Sequence, residues 1–438
     1  MRRGAPALLL FAALACGGGP RAAVDDAVRA RELEGALEAY DQFREADGAD
    51  GALLAEVAAL LLELEALGED ESRRDAALTQ LRLAGNAALP VLERIGRSEG
   101  ETVARAEALA HLTRRGDGEA RAYLYALLDT DDPAILAPAL VAVDPEEETA
   151  RLVAWLADPI PEVRRAAALR LGAATESREA LGALRELARV DPEPRVRGAA
   201  IRALGGFGAA VFEALRERLG DAASNVRLAT VRALVRADRP RAVAALRSLL
   251  ATPPNPAGIE AARVIALTGN PEEEDAPPEE GVVDARAYLR GALGSADPTL
   301  RSQAAVALVS LPADEGTDAA LLAALDGEAD ASVRLGMARA LLGHEGAEEE
   351  ARETLRALME GEGMAAVQAA ALLAKEGEDA ALTRLEAALE AESALLRRGA
   401  ARALARDAER PDAARPALRD EDPTVRIHAA GGILAASN

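Results

Sequence analysis

The chain has 438 residues, half of them hydrophobic but only 2% aromatic, and carries a formal charge of −23. That charge opposes DNA, RNA and anionic lipid headgroups as general partners. With so few aromatics, burial must come from many small aliphatic contacts, and the excess of Ala, Leu, Glu and Arg favours helix over strand.

The first element in chain order is a leader. Arg2 and Arg3 precede an apolar run from Ala5 to Ala15, then the only cysteine, Cys16, and three glycines. A basic start, a short apolar run and small residues before a cleavage point make residues 1–15 a signal peptide. The run is too short to span a bilayer. The AALAC stretch at 12–16 resembles a bacterial lipobox, with Ala13 where leucine is usual. The resemblance implies a diacylglycerol on the Cys16 sulfur, cleavage before that residue, and acylation of the new amino group. Several acyl chains on one residue anchor stably, whereas a single chain does not. Ordinary secretion, with cleavage after Ala15 and a free thiol, is the alternative. Loss of residues 1–15 removes two arginines and no acid, moving the charge from −23 to −25. Gly17, rather than an aspartate, follows the cysteine, which points to the outer membrane with the protein facing the periplasm. With no second cysteine, an intramolecular disulfide is excluded. Residues 16–23 are then a lipidated tether.

Residues 24–84 are expected to form two to four helices that cap the stack described next. Within them, ALLAEVAALLLELEAL (52–67) contains Glu56, Glu63 and Glu65, which argues for an amphipathic helix rather than a membrane span.

From residue 85 to 438 one phrase recurs. DPIPEVRRAAALRLG (158–172) returns as DPEPRVRGAAIRALG (191–205), DAASNVRLATVRALV (221–235) and DPTVRIHAAGGILAA (422–436). Taking Val163 as an anchor, Ala166, Ala167, Arg170 and Leu171 follow at +3, +4, +7 and +8, one helical stripe. Val196, Val226, Leu300 and Val333 open similar stripes. Val103, Ile135, Gly258, Ala366, Leu396 and Val425 open looser ones. Anchors are 28 to 33 residues apart, except for one interval of 42. A second helical segment precedes most anchors, as at 146–157, 177–190 and 348–360. Helix, turn, helix at this period is the signature of a solenoid. The fold predicted is therefore all-α, an α/α superhelix of about ten to twelve helical-hairpin repeats. The long interval holds NPEEEDAPPEEG (270–281), six acids and three prolines, which read as an inserted solvated acidic loop and the first site for proteolysis.

The turns carry their own chemistry. Asp-Pro pairs precede several anchors, beginning at Asp132, Asp158, Asp191, Asp297 and Asp422. Proline suits a first helical turn and aspartate can cap it. Gly172, Gly205 and Gly343 are placed to end helices in the left-handed conformation. These phrases resemble the HEAT repeat, in the short bacterial form also seen in bilin-lyase-like proteins, over roughly residues 70–436.

Seven anchors are followed by arginine: Arg164, Arg197, Arg227, Arg301, Arg334, Arg397 and Arg426. HEAT repeats resemble one another in an Asp-Arg ladder. The favoured reading is that each arginine pairs with turn acids of its own or the next repeat, such as Asp158, Asp191, Asp221, Asp330 and Asp422. The competing reading is a basic stripe for an acidic partner. Catalytic residues are not found. His111, His344 and His428 lack metal-ligand spacing, so neither a metal nor another cofactor is expected, and His344 reads as a surface residue. The single His-Glu pair at 344–345 does not support the two-iron chemistry of deoxyhypusine hydroxylase. LGGFGAAV (204–211) follows a helix, which removes the phosphate-loop context. The function predicted is a lipid-anchored envelope scaffold, not an enzyme, that binds a protein or peptide and no nucleic acid. The alternative is an enzyme or enzyme accessory of bilin-lyase-like type.

Overall fold

Each hairpin exists because its second helix has a prepared start and a small-residue face. In the computed structural model, residues 19–100, 102–268, 280–312, 315–344 and 346–437 are described, and all regular structure among them is helical. Cys16 and residues 1–15, expected to be a signal peptide, and all but the last two residues of 270–281, expected to be an inserted loop, lie outside the described residues. Every anchor falls within a helix, from Val103–Arg114 and Pro133–Ala139 to Ala394–Arg402 and Pro423–Ala435. A partner helix precedes each one, Arg178–Val190 before Pro194–Leu204 for example. The fold is an all-α array of helical hairpins.

Burial follows the stripe. Val163, Ala167 and Leu171 are fully buried, as are Val196, Ala199 and Ala200. The preceding helices contribute the facing side, with Ala180 and Leu184 also fully buried. Gly172 and Gly205 serve a purpose other than the one expected. Their φ angles are −61° and −55°, ordinary helical values. Gly343 is not left-handed either. A Cβ on Gly172 would sit 2.9 Å from Ala203 Cα, and one on Gly205 3.2 Å from Ala233 Cα. These two glycines let the next repeat's helix approach. The left-handed helix-ending role falls instead to Gly116 and Gly377, with φ of 91° and 89°. There Asp117 N–H and Glu378 N–H reach back to the Leu112 and Leu373 carbonyls.

The chain divides into two compact units, residues 101–358 and residues 1–100 with 359–438. The 101–358 unit holds the hairpins anchored from Val103 to Val333. In the other unit, helices Pro20–Ala30, Leu33–Asp47, Gly51–Ala66 and Glu71–Leu83 share a core with the last repeats. Helix Gly51–Ala66 is buried on most of its circumference rather than on one stripe, with Leu53, Leu54, Val57 and Leu62 fully inaccessible. Asp50 caps it, accepting from Ala52 N–H and Leu53 N–H at 3.0 Å each. The N-terminal helices are joined to the C-terminal hairpin by charge. Arg44 Nε lies 2.8 Å from Asp412, Arg419 2.7 Å from Asp41, and Arg415 also pairs with Asp41. Gln80 packs over Gly431, leaving no room for a Cβ there.

Candidate functional site

The arginine that follows each anchor emerges near the start of the second helix, beside the turn. Its planar fork can address two groups at once. Arg164 shows the full pattern. Its Nη1 donates to the carbonyls of Asp158 and Pro159, at 2.9 and 3.1 Å, in its own turn. Its Nε and Nη2 donate to both carboxylate oxygens of Asp191, at 2.8 and 3.1 Å, in the next repeat. The side chains are only 11% and 3% exposed. Arg197 repeats this with the Asp191 and Pro192 carbonyls and the Asp221 carboxylate. Arg301 donates to the Ser295 and Ala296 carbonyls and to Glu328. Arg397 donates to the Ala391 and Glu392 carbonyls and to Asp420.

The acid has a second task. Its carboxylate also accepts the backbone N–H two residues on, as Asp191 does from Glu193, Asp221 from Ala223, Glu328 from Asp330 and Asp420 from Asp422. One carboxylate therefore shapes its own turn and fixes the previous repeat against it. The pairing arginines hold the carboxyls of Asp221, Glu328 and Asp420 below the usual carboxylate range. Hydrogen bonding to Asp191 and Asp221 raises the Arg164 and Arg197 guanidinium pKa values in turn. These are charge-assisted, bidentate contacts with little solvent access, the strong class of hydrogen bond.

Three arginines depart from the pattern. Arg227 reaches the Asp221 and Ala222 carbonyls at 2.8 and 3.0 Å but has no carboxylate partner among the described residues. The next turn reads Thr252-Pro253-Pro254, with no acid in the required place. Arg426 reaches the Asp420 and Glu421 carbonyls, and its Nη2 lies 3.8 Å from Glu65 of helix Gly51–Ala66. Arg334 is a correction. Its Nε is buried without a hydrogen-bond partner among the described residues. Asp330, expected as an acceptor, is taken by Ser332 N–H and Val333 N–H at the helix start.

The turn aspartates divide into two kinds. Asp132, Asp297 and Asp422 are caps, accepting from Ala134, Thr299 and Thr424 N–H. Asp158 and Asp191 are not. Their helices start three residues later, at Pro161 and Pro194, with Ile160 and Glu193 as the capping residues. The second proline of D-P-x-P takes the first helical position and displaces the aspartate into the turn. Glu328 and Asp420, two residues before the capping aspartates, are ladder acids that the reading of Asp-Pro pairs missed.

His344 is a further correction, being only 7% exposed. Its Nε2 lies 3.5 Å from Asp318, and its Nδ1 has no hydrogen-bond partner among the described residues. His428 Nδ1–H donates to the Thr424 carbonyl, 2.7 Å away, and burial lowers its pKa. Among the described residues no group of three or more His, Cys, Asp or Glu is arranged to hold a metal ion.

Helical hairpins stacked in register and linked through Arg-carboxylate rungs define a helical-repeat protein. Residues 136–204 and 183–268 match the family model for HEAT repeats. Among solved structures, the chain is similar to an engineered protein at 22% identity, covering 92% of this chain and 99% of that one, with a TM-score of 0.26. It is similar to importin beta at 16% identity, covering 80% of this chain and 61% of that one, with a TM-score of 0.32. The complex of CpcE and CpcF of phycocyanin lyase from Nostoc sp. PCC7120 matches at 18% identity, covering 69% and 94%, with a TM-score of 0.29. No curated protein matches the sequence.

Proposed function

We propose that the protein is a lipid-anchored adaptor of the bacterial envelope, whose HEAT hairpins bind a protein or peptide. The observation that supports this reading best is the division of labour among its side chains. Most ladder arginines are spent on coupling one repeat to the next, which fixes a ridged helical surface rather than a reactive centre. Stacked repeats of this kind present long continuous faces on which a partner can lie. The lipobox-like AALAC at 12–16 supports anchoring through Cys16, and Gly17 supports the outer membrane, with the repeats in the periplasm. Cell fractionation with mass spectrometry tests the anchor. The mature protein should remain in the membrane fraction after a salt wash and carry acyl mass on Cys16. A Cys16→Ser protein that stays equally membrane-bound would remove the lipid from the account.

A further inference from the structure

Four arginines of the ladder, Arg164, Arg197, Arg301 and Arg397, are neutralised by carboxylates, and a different set is not. On helices Pro161–Leu171 and Pro194–Leu204, the exposed Arg165, Arg195 and Arg202 line a half-enclosed groove of about 670 Å³. None of these three guanidiniums has a hydrogen-bond or ion-pair partner among the described residues. Burial lowers the pKa of Arg202, and the facing charge of Arg165 lowers it further. Two like charges thus face each other in a chain whose net charge is −23. Such an arrangement stores a repulsion that an incoming carboxylate relieves.

We infer that this groove binds an acidic peptide segment of the partner, with a carboxylate seated between Arg165 and Arg202. The inference rests on the adaptor reading. A peptide fits better than a nucleic acid because Glu162 and Glu193 also line the groove. They would oppose the unbroken charge of a phosphodiester backbone. Toward a peptide they can accept main-chain N–H groups between its separated acids. Leu169, one turn beyond Arg165 and 40% exposed, offers an apolar contact beside the charges.

The test uses the full-length protein and a fluorescein-labelled dodecapeptide made of three Glu-Gly-Leu-Glu repeats, read by fluorescence anisotropy. Binding should be measurable at low salt and weaken as salt rises. Arg165→Gln with Arg202→Gln should weaken it roughly tenfold or more, while the circular-dichroism melt stays that of the parent. Arg216→Gln, which breaks only the exposed pair with Glu213, should bind like the parent. Equal binding of the Gln-Gly-Leu-Gln peptide, parent-like binding by the double variant, or equal competition by single-stranded oligothymidine would each overturn the inference. A photocrosslinking amino acid at Leu169 or at exposed Val306 separates this failure from that of the adaptor reading. Crosslinks to a partner polypeptide from Val306 alone would sink the groove and leave the adaptor standing. Crosslinks from neither would sink both.

Discussion

Replacing Arg164 with alanine isolates what one rung of the ladder contributes. Four donated hydrogen bonds disappear, two to Asp191 and two to the turn carbonyls of Asp158 and Pro159. Asp191, 3% exposed at its side chain, is left with one remaining donor, the Glu193 N–H. Losing a buried donor costs about 1–3 kcal/mol, and breaking a buried ion pair from one side costs about 3–5 kcal/mol. The geometry lies between these limits, so about 3 kcal/mol is expected. At about 2–4 °C per kcal/mol for a unit of this size, the midpoint should fall by about 6–12 °C. Thermal denaturation followed by circular dichroism at the helical band measures this shift, and urea denaturation the free-energy change. Arg164→Lys should recover only part, because one ammonium cannot serve the carboxylate and both carbonyls. A double-mutant cycle with Asp191→Ala should give a coupling of about 2 kcal/mol. Arg334→Ala is the internal control, since its Nε has no hydrogen-bond partner to lose among the described residues. If Arg164→Ala melts within about 0.5 kcal/mol of the parent, or no lower than Arg334→Ala, the rungs do not couple the repeats.

The glycines give a second, oppositely signed pair. Gly172→Ala should destabilise by about 1–3 kcal/mol, because its Cβ would meet Ala203 at 2.9 Å. Gly182→Ala, in the exposed interior of helix Arg178–Val190 with nothing within 4 Å, should stabilise by up to about 1 kcal/mol. Thermal melts check both, and equal signs would contradict the packing argument. Acid should weaken the fold through the same ladder. Arg197, Arg301 and Arg397 depress the carboxyl pKa values of Asp221, Glu328 and Asp420. Their contribution is complete above the ordinary carboxylate range and is lost as pH falls through the depressed folded values. The melting temperature should therefore drop from about pH 5 downward. It should drop less steeply in an Arg197→Ala, Arg301→Ala double variant, and equal slopes would refute the assignment.

The period and the apolar stripe made the hairpins legible, because a 3.6-residue rhythm survives any detail of turn geometry. Val163, Ala167 and Leu171 could be read as one buried face from spacing alone. The turn details were less legible. Asp-Pro reads the same whether the proline opens the helix, as at Pro133, or sits two residues short of it, as at Pro159. Only the second proline, Pro161 or Pro194, distinguishes the cases. The ladder partners depend on which acid the next repeat brings within reach, and that is a through-space relation across 23 to 27 residues. Arg334 illustrates the limit, since its local phrase matches that of Arg164 and its surroundings do not. The association of helices Pro20–Ala30 to Glu71–Leu83 with the last repeats left no periodic trace. Its contacts, such as Arg44 with Asp412, join segments too distant for any local pattern. The unpaired Arg165 and Arg202 had only a weak signal, a second basic residue two or six places after the anchor.

The adaptor reading is tested most directly by the composition of the native particle. Protein extracted from its source cells in mild detergent can be purified by size exclusion with light scattering and its polypeptides identified. A stoichiometric complex is expected, in which this chain is joined by a second polypeptide. That complex should dissociate as salt rises and fail to form with Arg165→Gln and Arg202→Gln. A particle containing this chain alone, unchanged by salt or by those substitutions, would contradict it.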